Sequence, residues 1–205
     1  MDNIISDYNA STFTKVTVLT GTAIASALCV QNMMRRNNIK HLKNLEMGIR
    51  EGIELCCAST AGGFISGWLV DNPKHRKAKY KDVVNQIIGN TFIPFGFLAL
   101  ANKCTTKLSK VWRTLVAIGT FISTTFLGHN IANKLNKKIF KEESGYKCSF
   151  KDIISDADDW VLGASTVLKS KGLYQFTAAV APLTYTIHGY LSGCRQQDKK
   201  LDKYV

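Results

Sequence analysis

Acidic residues are scarce in this 205-residue chain: 15 Asp and Glu stand against 27 Lys and Arg, a formal net charge of +12. Proline occurs only 3 times, and with 45% hydrophobic residues this excludes a proline-rich or charge-driven disordered chain. The 6 cysteines, at positions 29, 56, 57, 104, 148 and 194, are too few for a small disulfide scaffold. They form no CxxC pair, and no histidine sits at zinc-ligand spacing. Asn-Gly and Asp-Gly hairpin signals are missing, and no segment alternates with period two, so a sheet is not expected. Walker, GxGxxG, GxSxG and HExxH patterns are absent as well. No catalytic residue, metal site or cofactor is therefore assigned, and an enzyme is not the expected class.

The chain does have long apolar blocks. Its mean hydropathy is near zero, but that average conceals weakly polar stretches separated by short charged loops. Phe13–Met34 contains the charge-free run Val16–Val30, and Ile53–Val70 holds only Glu54. Val83–Ala101 has no charge, Thr114–Asn133 has only His129, and Leu173–Cys194 has only His188. Trp160–Leu168 is too short to span. A membrane-crossing helix needs about 20 mostly apolar residues, because the hydrocarbon core is about 30 Å thick and each residue rises about 1.5 Å. The competing reading is a soluble or peripheral basic α-helical protein bound to an anionic surface. It requires a charged face every three or four residues, whereas these blocks carry Thr, Ser and Gly there. The expected fold is thus all-α: a polytopic transmembrane bundle of four to six helices in a single domain over residues 1–205.

Small residues recur at four-residue spacing. Ser59, Gly63 and Gly67 share one helix face, Thr124, Gly128 and Ala132 another, and Gly189 and Gly193 a third. In lipid, apolar side chains gain little by leaving a medium as apolar as themselves, so close backbone approach drives association. These faces are expected to pack helices within the chain, or against a second copy or another membrane protein.

Tyr80-Lys81-Asp82-Val83-Val84 has a near copy at Phe150-Lys151-Asp152-Ile153-Ile154. Each is followed by a proline in an apolar run (Pro94, Pro182) and then a cysteine (Cys104, Cys194). This suggests a duplication, 51–104 and 113–194, preceded by an extra helix over 13–34.

With six spans, the loop cations divide into sets of 16 and 11, the larger comprising both termini, 71–82 and 134–152. That imbalance points weakly to cytoplasmic termini. Asp2 and Asp7 make the N-terminus unlike a secretory or mitochondrial leader, so an uncleaved first helix is expected. The basic turn with Lys74, Arg76, Lys77, Lys79 and Lys81 suits anionic lipid head groups. Nucleic acid is not an expected partner, since no recognition motif is present.

The most distinctive polar cluster is acidic. On one helix, Asp152, Asp156 and Asp159 lie at i, i+4 and i+7, where three carboxylates repel and attract a proton or cation. The ordinary alternative is acid enrichment at a helix start, favoured by the helix dipole. The expected role is non-enzymatic: membrane organisation, assembly with partner proteins, or transport.

Overall fold

A computed structural model describes residues 10–141, 157–168 and 171–195. The described residues form a bundle of six helices with no strands. Helix α1 spans Thr12–Arg36, α2 Ile49–Val70, α3 Pro73–Cys104, α4 Lys110–Phe140, α5 Ala157–Leu168 and α6 Lys171–Cys194. The first four are long and apolar enough to cross a bilayer. Helix α6, with 24 residues, matches them in length, whereas α5 has only 12.

Local chemistry sets the helix boundaries. The Ser11 hydroxyl accepts from the Thr14 N–H at 3.1 Å, and Arg35 and Arg36 sit in the last turn of α1, where cations complement the dipole. Asn38 then takes a left-handed conformation (φ 53°), and the Ile39 N–H donates to the Met34 carbonyl at 2.8 Å. This termination motif folds the chain back over the helix it has just left. At the start of α2 the Glu51 carboxylate accepts from the Gly48 N–H, the acidic half of a capping box.

Helix α3 is not uniform. It begins as a 3₁₀ turn at Pro73–His75, is α-helical over Arg76–Val84, widens to a π-helix over Asn85–Phe92, and resumes as α-helix over Ile93–Cys104. Pro94 lacks an N–H, and its ring would clash with a carbonyl one turn back, so the preceding ladder must shift. The Thr91 hydroxyl donates to the Gln86 carbonyl at 2.9 Å, satisfying one group of the widened stretch. The extra girth turns Asn85, Asn90 and Thr91 inward, where they are buried.

Helix directions follow from the contacts. Gly62 packs on Gly21 and Ala25, and Arg36 reaches Glu54 at 2.8 Å, so α1 and α2 are antiparallel. Gly52 lies near Tyr185 and Gly67 against Gly193, so α2 and α6 are parallel. Phe95 meets Phe121 edge-on, and Arg113 donates to Asn102 at 2.6 Å, so α3 and α4 are antiparallel. The start of α1, end of α2, start of α3, end of α4 and end of α6 therefore share one end of the bundle, here the clasp end. The opposite ends, with α5, form the other. Helix α4 finishes at the clasp end and α6 begins at the other. Both ends of the described chain lie on one side of the bundle.

The two segments matched as a duplication contain helices running in opposite senses, since the start of α3 lies against the end of α6. The second copy of the short motif, 150–154, lies outside the described residues.

The polarity of the bundle is inverted relative to a protein in water. Helix α1 buries Thr14, Thr22 and Ser26 while exposing Phe13, Val16, Leu19, Ile24 and Leu28. Helix α6 buries Thr177 and Ser192 and exposes Phe176, Leu183 and Ile187. Hydroxyls can satisfy themselves inside by bonding back to a carbonyl one turn earlier, as Thr22 does to Val18 O at 2.7 Å. A large apolar outer surface fits hydrocarbon rather than water. The apolar core, including Met33, Leu55, Phe95, Leu98, Phe121 and Leu162, fills the half nearer α5. The half nearer the clasp end is closed by glycine contacts and ionic groups.

Candidate functional site: buried charges inside the bundle

Of the three expected acidic residues, Asp152 and Asp156 lie outside the described residues. Asp159, near the start of α5, is 2% exposed. The Tyr185 hydroxyl of α6 donates to its Oδ1, and Tyr185 is itself buried, with the His188 ring edge-on to it at 6.0 Å. Tyr185 lies nine residues before the end of α6, roughly 14 Å along the axis, so the pair sits well inside the bundle. Because α5 is only a half-length helix, its start brings a carboxylate to that depth.

The surroundings are polar for so deep a position. On α2, Cys56 Sγ is 2.9 Å from the Thr91 hydroxyl and close enough to Asp159 for electrostatic interaction. On α4, His129 is 2% exposed and packs over Gly89, where a Cβ would stand 2.8 Å from Nδ1. Asp159 also lines a narrow crevice between α3, α4 and α5, with Leu98, Thr114, Ile118 and Gly163. Among the described residues no group of three or more His, Cys, Asp or Glu is placed to hold a metal ion.

A second ionic cluster closes the clasp end. Lys79, at the start of α3, is fully buried. Its Nζ donates to the Gly193 carbonyl near the end of α6 and stands 2.9 Å from Asp71 Oδ2. One turn on, Asp82 Oδ2 accepts from the Ser192 hydroxyl at 2.8 Å, and Arg195 Nε lies 4.0 Å from its other oxygen. Lys79 is therefore corrected from a head-group contact to an internal group. A buried ammonium needs partners, and the helix end provides a carbonyl at the negative end of its dipole.

The remaining basic residues of that turn are placed differently. Lys74 and Lys77 are exposed, the Arg76 guanidinium lies 4.1 Å above the Trp68 ring, and Lys81 Nζ lies 6.0 Å from the Phe140 ring.

The small-residue rows meet one another. A Cβ added to Gly63 would fall within 3.0 Å of Gly189 O, one on Gly67 within 3.0 Å of Gly193 O, and one on Gly128 within 3.0 Å of Gly89 O. Gly189 in turn abuts Ser59 O, so Ser59, Gly63, Gly67, Gly189 and Gly193 form one α2–α6 seam. These faces are occupied within the chain.

Sequence reasoning missed Tyr185, Ser192 and Asp71 as partners of buried charge. The i, i+3 spacing of Lys79 and Asp82 was the available signal, since it places both on one face of α3. No protein-family model, curated protein or solved structure matches the chain, so its chemistry is read from its own residues.

Proposed function

We propose that this is an integral membrane protein that passes protons through its helical bundle, with Asp159 as the group that takes up and releases them. The observation that carries this reading is the Asp159–Tyr185 pair: a carboxylate enclosed inside the bundle, brought there by a half-length helix. An ionisable group at such depth is costly and marks a functional position by default. A carboxyl that accepts from a hydroxyl can hold and release a proton. The crevice that Asp159 lines, with Thr114 toward the start of α4, supports a route from the end opposite the clasp. The polar seam of Thr91, Asn90, His129 and Asn136 supports a continuation toward the clasp end.

The test is proton uptake into sealed proteoliposomes under a potassium-diffusion potential, read with an entrapped pH-sensitive dye. Wild-type protein should acidify the vesicle lumen, and Asp159→Asn should return flux to that of empty vesicles. Wild-type flux no greater than that of empty vesicles overturns the reading.

A second reading, a scaffold that assembles other membrane proteins, is supported by Gly96 and Gly119. Both are exposed on adjacent helices, with nothing within 4 Å of an added Cβ. It leaves flux at background and places a cross-linkable partner on the α3–α4 face. In either reading the exposed Lys74 and Lys77 are placed to meet anionic head groups.

A further inference from the structure

We infer that the groove between α1 and α6 at the end opposite the clasp is a binding site for one acidic phospholipid, which holds an acyl chain in the groove and its phosphate at the basic turn after α1. The inference does not depend on proton movement. The Ser26 and Thr186 hydroxyls join α1 to α6 at 3.2 Å. Beyond that bond Ala27, Leu28, Val30 and Met34 of α1 face Pro182 of α6 and Leu42 of the connecting turn across a groove of about 550 Å³. That volume lies in the range of small-molecule sites, roughly 300–1,000 Å³. Its lining is almost wholly apolar, with Gln31 the one polar side chain.

Two features select the occupant. The groove opens on the outward face of α1, where Leu28 is 60% exposed, so in a bilayer it opens to hydrocarbon, and an unfilled groove would forfeit contacts on one side. The turn beside it is rich in positive charge. Arg35 follows the lining Met34, and His41 and Lys43 flank the lining Leu42, with Lys40 just before. Arg35, Lys40 and Lys43 are exposed, and among the described residues none has a carboxylate partner. Of the nearby acids, Glu51 and Glu54 hold Arg36 at 3.2 and 2.8 Å, and Glu46 lines a separate polar pocket with Asn44 and Tyr174. The left-handed Asn38 and the Ile39–Met34 hydrogen bond fold the turn back over α1, and its Leu42–Asn44 segment packs against α6, which keeps its cations beside the groove. Apolar groove and unpaired cations together match a lipid with an anionic head, not a neutral one.

Native mass spectrometry of the full chain, stripped of lipid and titrated with phosphatidylglycerol or phosphatidylcholine of identical chains, tests this. Wild type should retain one phosphatidylglycerol about tenfold more tightly than phosphatidylcholine. The triple variant R35Q/K40Q/K43Q, confined to exposed positions, should lose that preference, while K74Q/K77Q should keep it. Ala27→Trp, which fills the groove from an exposed position, should reduce retention of both lipids by a similar factor. Equal retention of the two lipids by wild type overturns the proposal, as does a preference that survives the triple variant or disappears in K74Q/K77Q. Unchanged retention in Ala27→Trp, with an unchanged melting temperature, also overturns it.

Discussion

The Lys79 ammonium at the start of α3 donates to the carbonyl of Gly193, 114 residues further along the chain. That single contact closes the bundle, because it ties the α2–α3 turn to the end of the last helix. Asp71 holds the same ammonium from the other side. Removing one partner of a buried pair leaves the other uncompensated, at a cost of about 3–5 kcal/mol. Lys79→Met is therefore expected to lower the melting temperature in detergent sharply. Lys74→Met, at an exposed position five residues earlier, should change stability by less than about 0.5 kcal/mol. Equal melting temperatures for the two variants would show that Lys79 does not hold the helix end.

The glycines divide into two groups with opposite expected responses. A side chain at Gly63, Gly67 or Gly128 meets a backbone oxygen within 3.0 Å, and backbone cannot swing aside as a flexible side chain can. Gly63→Ala should thus force α2 and α6 apart and destabilise by at least about 1–3 kcal/mol, the usual range for overpacking. At Gly96 and Gly119 there is nothing within 4 Å. Alanine there removes the entropic cost of helical glycine and should be neutral or stabilising by about 0.5–1 kcal/mol. Thermal melts of the three single variants check the division, and a destabilising Gly119→Ala would reveal a contact on the outer α4 face.

The all-α class and the principal spans were legible because periodicity and the absence of charge are local properties of the chain. Ser59, Gly63 and Gly67 were legible as a packing row for the same reason: their spacing alone places them on one face. What they pack against was not. Gly189 and Gly193 complete their seam from more than 120 residues away, and nothing in either row names the other. Lys79 was misread because five basic residues in a short turn look alike in sequence, while burial of one of them depends on Asp71, Asp82 and the end of α6 converging. The same holds for Tyr185, an unremarkable aromatic in an apolar block until α5 brings Asp159 beside it. The opposite senses of α3 and α6 were likewise invisible to a comparison of short motifs.

Both ends of the described chain lie at the clasp end, whereas Cys104 and the turn after it lie at the other. In a background without other cysteines, Lys74→Cys and the native Cys104 should therefore react with a membrane-impermeant maleimide from opposite sides of sealed vesicles. Lys141→Cys should label from the same side as Lys74→Cys, since α4 ends where α3 begins. The excess of basic residues at the clasp end favours the cytoplasmic side for it. Labelling of Lys74→Cys and Cys104 from one side alone would rule out α3 as a crossing.

Asp159 can be tested so that a structural role and a proton-handling role give different answers. Asp159→Asn keeps the size of the side chain and a carbonyl oxygen that still accepts from the Tyr185 hydroxyl, so the fold should melt within about 1 kcal/mol of wild type. It has no titratable proton, and flux through the bundle should fall at least tenfold. Asp159→Leu removes the carboxylate that accepts from the buried Tyr185 hydroxyl, which costs about 1–3 kcal/mol. Leu paired with Tyr185→Phe removes both polar atoms and should recover most of that stability without recovering flux. A melting temperature lowered as much in the Asn variant as in the Leu variant, with flux scaling to folded protein in each, would mean that the carboxylate only holds α5 to α6.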